Sequence, residues 1–345
     1  MCSLNMKEAL LYTALEEKKV DCFLCSHKCK ILEGKFGFCG VRQNTKGILY
    51  AHNYGKIVAS NIDPVEKKPL YHFLPGSTAF SIASAGCNFR CAFCQNWQIS
   101  QLDFINRNPG EPSTPDKIVK LAKENGCRSI AYTYTEPTIY FEFALETAQL
   151  AKEQGLRNIF VTNGYMTSQA ISMLKPYLDA ANVDLKFFKD SSYKKICSGH
   201  LAPVLESIRL LKEAGVWIEI TTLVIPGAND TPDELSGIAD FIASVGKDIP
   251  WHISRFHADY KFKDYASTPE STLRLAYDLG KDAGLYHVYA GNVYGWGQDT
   301  FCASCKKLLI KREGFGIKQL HVAQGKCAFC QADLAGIFDI DSYRA

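Results

Sequence analysis

The chain has 345 residues, 47% of them apolar, and 39 Lys and Arg against 36 Asp and Glu give a net charge of +3. That is ample apolar material for a folded core, which excludes an intrinsically disordered chain. Charge this balanced, with no basic block, argues neither for nor against a nucleic-acid partner. No apolar run approaches the length of a membrane-spanning helix. The opening MCSLNMKEALLYTALEEKK is charged where a secretory signal would be apolar. A cytoplasmic protein is expected, in which 14 cysteines are more readily metal ligands than disulfides.

Residues 1–75 read as a Cys-rich head followed by strands. The spacing Cys22-x2-Cys25-x3-Cys29-x9-Cys39 could hold zinc or an auxiliary iron–sulfur cluster, with zinc preferred. ILYAHNYG and KIVASNI, divided at Gly55-Lys56, predict a β-hairpin. DPVEKKPLYHFLPG follows as an extended, Pro-punctuated stretch.

Residues 76–295 alternate short apolar runs with helical patterns. The predicted strands are AFSIASA, SIAYTY, NIFVTN, NVDLK, WIEITTLVI, WHISRF and HVYAG. Between them lie predicted helices, several opening with Thr-Pro-Asp/Glu, a hydroxyl cap with Pro in the first turn, and most ending at Gly. Such alternation means βαβ units on a parallel sheet. The fold class expected is α/β, a partial (β/α)6 TIM-like barrel with small Cys-rich metal-binding extensions at both ends. In parallel barrels the chemistry sits at the C-terminal strand ends.

The first predicted strand runs into GCNFRCAFCQNW, which presents Cys87-x3-Cys91-x2-Cys94. Cubane iron–sulfur clusters are held by four thiolates, so three would leave one iron open to a further ligand. The motif resembles that of the radical S-adenosylmethionine (SAM) superfamily, including the aromatic residue, Phe93, before the third Cys. The head CFLCSHKCKILEGKFGFCGVR, the stretch DPVEKKPLYHF and the triplet together resemble the AmmeMemoRadiSam branch, related to pyruvate formate-lyase activating enzymes. The resemblance implies a [4Fe-4S] cluster on Cys87, Cys91 and Cys94. It also implies reductive cleavage of SAM to methionine and a 5′-deoxyadenosyl radical that takes hydrogen from a substrate.

The remaining strand ends carry further expected cofactor contacts. The second ends at Tyr134-Thr135-Glu136-Pro137, where the family often has Gly-Gly-Glu. Glu136 would bind the SAM amino group or merely cap the next helix, and loss of Gly-Gly puts the family's backbone contact in question. The third ends at Thr162-Asn163-Gly164, where Asn163 would bond SAM or occupy an ordinary turn. In the fourth, Asp184 and Lys186 fall on the same side of the strand, and by resemblance Lys186 approaches the SAM carboxylate. WHISRFHADYK offers His252, Arg255 and His257, of which His257 matches the family's ribose contact. VYAGNVYG could flank the adenine.

Residues 296–345 carry Cys302-x2-Cys305-x21-Cys327-x2-Cys330, one residue beyond the usual zinc-ribbon spacing, with LLIKREGF and HVAQGKC as ribbon strands. Four thiolates would close a structural zinc site, or a rubredoxin-like iron. Cys2, Cys127 and Cys197 are left as incidental thiols. The resemblance points to a protein substrate and to reduced flavodoxin or ferredoxin as electron donor. Nucleotide or RNA modification, or a non-catalytic iron–sulfur scaffold or sensor, are the alternatives.

Overall fold

The computed structural model describes residues 6–101 and 109–338, so Cys2 lies outside the described residues. Its centre is an eight-stranded open sheet. The strands are β1 (Ala59–Pro64), β2 (Thr78–Ala83), β3 (Ser129–Tyr132), β4 (Arg157–Thr162), β5 (Ala180–Asp184), β6 (Trp217–Val224), β7 (Trp251–Arg255) and β8 (Val288–Gly291). From β2 to β8 all neighbours are parallel and follow chain order. β1 pairs antiparallel with the outer edge of β2. A doubly wound sheet would reverse its order at a switch point; this one never does.

Each parallel crossover carries a helix: α1 (Pro115–Glu124), α2 (Phe141–Glu153), α3 (Ser168–Leu174), α4 (Leu201–Glu213), α5 (Pro232–Val245) and α6 (Glu270–Asp282). Thr114, Thr167 and Thr231 cap α1, α3 and α5 with their hydroxyls, each worth about 1 kcal/mol. Thr268 does not cap α6 as its Thr-Pro-Glu setting suggests. Pro269 occupies the cap position, and the Thr268 hydroxyl instead donates to Val224 O at 2.6 Å and accepts from Phe256 N at 2.8 Å. The apolar stripes of the helices (Ile118 and Val119, Ala144 and Ala148, Ile238 and Ile242) join sheet residues Ile82, Tyr132, Phe160, Val183, Ile220 and Ile253 in one core. Burying each large aliphatic chain there stabilises the fold by roughly 1.5–3 kcal/mol.

The predicted hairpin across Gly55-Lys56 does not form. Ile48–Ala51 pairs with Arg42–Thr45 through the two-residue turn Lys46-Gly47, whose φ values of 57° and 87° are those of the turn that matches strand twist. KIVASNI divides instead: Lys56–Ile57 pairs with Glu111–Pro112, and Ala59–Pro64 becomes β1. The eight-stranded sheet therefore begins within the stretch assigned to the head.

Both Cys-rich ends are tied to the sheet. In the head, Arg42 and Glu142 of α2 form an ion pair with side chains 1% exposed. Ser26 N donates to Tyr165 O at 2.9 Å. The tail is a three-stranded antiparallel sheet, Thr300–Phe301, Leu308–Glu313 and Gly316–Leu320. It grips the extended stretch after β1: Arg312 Nη2 donates to Tyr71 O at 2.8 Å, and Leu74 N donates to Ile337 O at 2.7 Å. Buried Glu219 holds the same stretch from the sheet side, accepting from Tyr71 N at 2.9 Å and His72 N at 2.8 Å. Among the described residues, no helix is long and apolar enough to cross a membrane.

Candidate active site

A cleft of about 500 Å3 opens at the C-terminal ends of β2 to β7, within the usual range for small-molecule sites. Its lining includes Cys87, Cys91, Phe93, Cys94, Glu136, Asn163, Asp184 and Lys186. Eight of the expected cluster and cofactor residues, far apart in sequence, therefore face one volume. The ninth, His257, is exposed and does not line the cleft; Gln95 Nε2 lies 3.3 Å from its ring nitrogens. His252 is at the other end of the sheet, against Glu219 Oε2 at 2.6 Å. Arg255 donates to Thr268 O, and neither it nor β8 lines the cleft.

The triplet loop leaves β2 through Gly86, whose φ of +101° is one that L side chains rarely adopt, and where a Cβ would press on Val41 Cγ1 at 3.0 Å. Its far side rests on the turn Tyr193–Cys197: Arg90 N donates to Cys197 O at 2.8 Å and Ala92 N to Ile196 O at 3.0 Å. The sulfurs are spread, since three or more ligand atoms within 4.8 Å of one another occur, among the described residues, only in the C-terminal set. Burial, Glu136 and the neighbouring thiols push the Cys87 thiol well above its ordinary value. Cys91 is raised by a hydrogen bond with Cys197 and by burial. A positive metal centre is what such buried thiols need in order to ionise.

Glu136 is both a helix cap and a cleft residue. Oε1 accepts from Thr138 N at 3.1 Å, Thr138 Oγ1 at 2.5 Å and Thr162 Oγ1 at 2.7 Å, while Oε2 accepts from Asn163 N at 2.7 Å. Burial raises its pKa while these donors pull it down. Oε2 has one donor and can accept another from a bound ammonium. Beside it, Tyr134 takes a left-handed φ of 64°, the conformation that glycine adopts readily and tyrosine at a cost. Anchors hold it there: Asn96 Nδ2 donates to Tyr134 O at 2.9 Å, and the phenol donates to Asp63.

On β5 and just beyond, Lys186 Nζ lies 2.7 Å from Asp184 Oδ2 and 5.8 Å from the Phe93 ring centre. Burial opposes its charge, but Asp184 and the Cys91 thiol hold its pKa well above the ordinary lysine value. It is a fixed cation inside the cleft. Lys67 and Lys68 also line the cleft, both bonded to Asp63, at 2.8 and 2.6 Å. Sequence reasoning missed them, although the run Asp63-x3-Lys67-Lys68 in DPVEKKPLYHF was the available signal. It also passed over Cys197.

In the tail, Cys302 Sγ lies 3.7 Å from Cys330 Sγ, and Cys305 Sγ 3.7 Å from Cys327 Sγ. All four sulfurs fall within 4.8 Å of one another.

The parallel sheet thus carries a three-thiol loop and a shared cleft at its strand ends. The family model for the radical SAM superfamily matches residues 81–242. The chain is 45% identical to an uncharacterized protein, MJ0808, of Methanocaldococcus jannaschii, over 94% of this chain and 98% of that one. It is 26% identical to a probable GTP 3',8-cyclase of Thermococcus kodakarensis, over 66% of this chain and 79% of the other. It is 22% identical to a pyruvate formate-lyase-activating enzyme of Clostridium pasteurianum, over 52% and 80%. A radical SAM methyltransferase from Sphaerobacter thermophilus superposes with a TM-score of 0.50 at 16% identity, covering 68% of this chain and 71% of that one, and so shares the fold. Residues 81–242 are thus a domain of the radical SAM superfamily, whose members use a [4Fe-4S] cluster and SAM.

Proposed function

We propose that the chain binds its [4Fe-4S] cluster through Cys87, Cys91 and Cys94 and acts on a protein substrate, in the manner of glycyl-radical activating enzymes. The observation that carries this reading is the convergence of the three thiols, Glu136, Asn163, Asp184 and Lys186 on one cleft. When bound, the cluster and SAM supply reductive cleavage of the sulfonium and hydrogen abstraction from the substrate. Glu136 Oε2 receives the SAM ammonium, and Lys186 faces its carboxylate with Asp184 fixing the lysine. Asn163 holds the triplet loop, and Phe93 packs beneath Lys186. His257 contacts Gln95, which lines the cleft and would reach the cofactor there. The sequential parallel sheet supports a partial barrel, whose open edge leaves room for a polypeptide. The tail thiols, spaced 3.7 Å apart, suit one tetrahedral zinc.

Nucleotide modification is the second reading, favoured by the likeness to a GTP 3',8-cyclase. One experiment separates the two. Reconstituted, reduced protein and unlabelled SAM are incubated with deuterium-labelled cell extract, split into protein, RNA and small-molecule fractions. Deuterium in 5′-deoxyadenosine from the protein fraction alone, abolished by protease, supports the first reading. Label from RNA or small molecules alone overturns it.

A further inference from the structure

The head cysteines do not share the geometry of the tail cysteines. A tetrahedral zinc with Zn–S near 2.3 Å sets its sulfurs about 3.8 Å apart, and the tail matches that with contacts of 3.7 Å. Cys22, Cys25, Cys29 and Cys39 all line one small enclosed cavity, yet no three of their sulfurs come within 4.8 Å of one another. The triplet sulfurs are spread in the same way. Wide spacing is what a multi-iron cluster gives its thiolates, because they bind different irons at its corners.

The lining agrees with that occupant. Besides the thiols the cavity is walled by apolar groups such as Leu24, Ile31, Phe38 and Ile139, and no histidine or carboxylate faces it. Two donors point at the sulfurs: Phe38 N lies 3.5 Å from Cys29 Sγ, and Arg42 Nη1 3.6 Å from Cys22 Sγ. Donors to sulfur and a nearby guanidinium stabilise the reduced, more negative state of a cluster. Arg42 is buried and already paired with Glu142, so its position is fixed.

The cavity also adjoins the triplet loop. Cys39 O lies 3.4 Å from the Cβ position of Gly86, the residue before Cys87. Arg90 bridges the two segments, donating to Phe38 O at 2.5 Å and to Cys87 O at 2.7 Å. His27 joins them a second time, its Nε2 2.7 Å from Asn88 O and its ring stacked 4.2 Å from Phe38. We propose that Cys22, Cys25, Cys29 and Cys39 hold an auxiliary iron–sulfur cluster that relays electrons to the cluster on the triplet. One electron leaves a low-potential flavin or ferredoxin donor, which is thereby oxidised. It passes through the head cluster and reduces the triplet cluster by one. The relay rests on the radical SAM reading above; the head cluster itself does not.

The test starts from the full chain with Cys87, Cys91 and Cys94 replaced by Ala, reconstituted anaerobically, with iron, acid-labile sulfide and zinc counted and Mössbauer spectra recorded. The expected result is retained sulfide with a cluster spectrum and one zinc per chain. Sulfide should vanish when Cys22→Ser and Cys29→Ser are added. No sulfide in a chain with wild-type circular dichroism, with zinc at two per chain, overturns the proposal. Should the triple variant not fold, the wild type is compared with Cys22→Ser/Cys29→Ser, which must lose part but not all of its sulfide; unchanged sulfide overturns the proposal. For the relay, the triplet cluster of Cys22→Ser/Cys29→Ser should be reduced by flavodoxin at least ten-fold more slowly than in wild type, and an unchanged rate overturns it. A wild type that keeps head sulfide but holds no Cys87-dependent cluster would refute the radical SAM reading alone.

Discussion

The side-chain amide of Asn163 donates to Asn88 Oδ1 at 2.7 Å, joining the end of β4 to the residue after the first triplet cysteine. The same asparagine donates its backbone N–H to Glu136 Oε2 at 2.7 Å. Three strand ends, β2, β3 and β4, are thereby locked in one arrangement before any cofactor arrives. Asn163 is thus a positioning residue for the loop.

Asn163→Ala should lower stability by about 1–3 kcal/mol, the cost of stranding buried Asn88 without its donor. Iron content after reconstitution should fall with it. Thermal unfolding and iron analysis check this; wild-type values for both would show that the bond is dispensable.

Glu136→Gln keeps the shape but removes the charge on which four donor contacts converge. Hydrogen bonds to a charged group carry about 1.5–3 kcal/mol each, so SAM affinity should fall about ten- to hundred-fold, with iron and sulfide retained. Equilibrium binding of SAM to the reconstituted protein is the measurement.

Asp63 controls acid stability near the cleft. Burial alone would raise its pKa, but hydrogen bonds from Lys67, Lys68 and Tyr134 hold it well below its ordinary 3.8. Its stabilisation is therefore fully present above pH 3.8 and is lost as pH falls from there through the lower folded value. Asp63→Ala, which leaves Lys68 buried and unpaired, should cost about 3 kcal/mol at neutral pH. It should also flatten the loss of stability below pH 3.8, as urea unfolding across pH would show.

Cys197→Ala should leave iron content unchanged and make the triplet cluster harder to reduce. As a free thiol Cys91 is the donor to Cys197, which is why the contact raises it. A Cys91 that ligates iron has no proton to give, so the Cys197 thiol becomes the donor, and losing a donor to a cluster ligand destabilises the more negative, reduced state. Redox titration followed by electron paramagnetic resonance reads the shift; a potential at or above wild type would contradict it.

Much of this was legible before any coordinates. The seven parallel strands and six helices lie where the apolar runs and helical patterns placed them, with Thr-Pro caps at α1 and α5. The triplet, Glu136, Asn163, Asp184 and Lys186 converge because strand ends share one edge of a parallel sheet. What was not legible depends on partners distant in sequence. Ile48–Ala51 chose Arg42–Thr45 over KIVASNI because Lys46-Gly47 makes the tighter turn. Thr268 gave up its cap for the carbonyl at the end of β6 and the amide just after β7. Tyr134 takes a backbone conformation usually left to glycine because Asn96 and Asp63 hold it. Cys197 reads as an incidental thiol until the turn Tyr193–Cys197 brings it to Cys91. Lys67 and Lys68 reach the cleft only because β1 runs along β2.

The most direct test is 5′-deoxyadenosine formation by the anaerobically reconstituted, dithionite-reduced protein given SAM. Product from wild type, lost in Cys87→Ala, Cys91→Ala and Cys94→Ala alike, is the expected result. A reduced, intact cluster on these three cysteines that binds SAM and yields no 5′-deoxyadenosine, alone or with cell extract, would contradict the account.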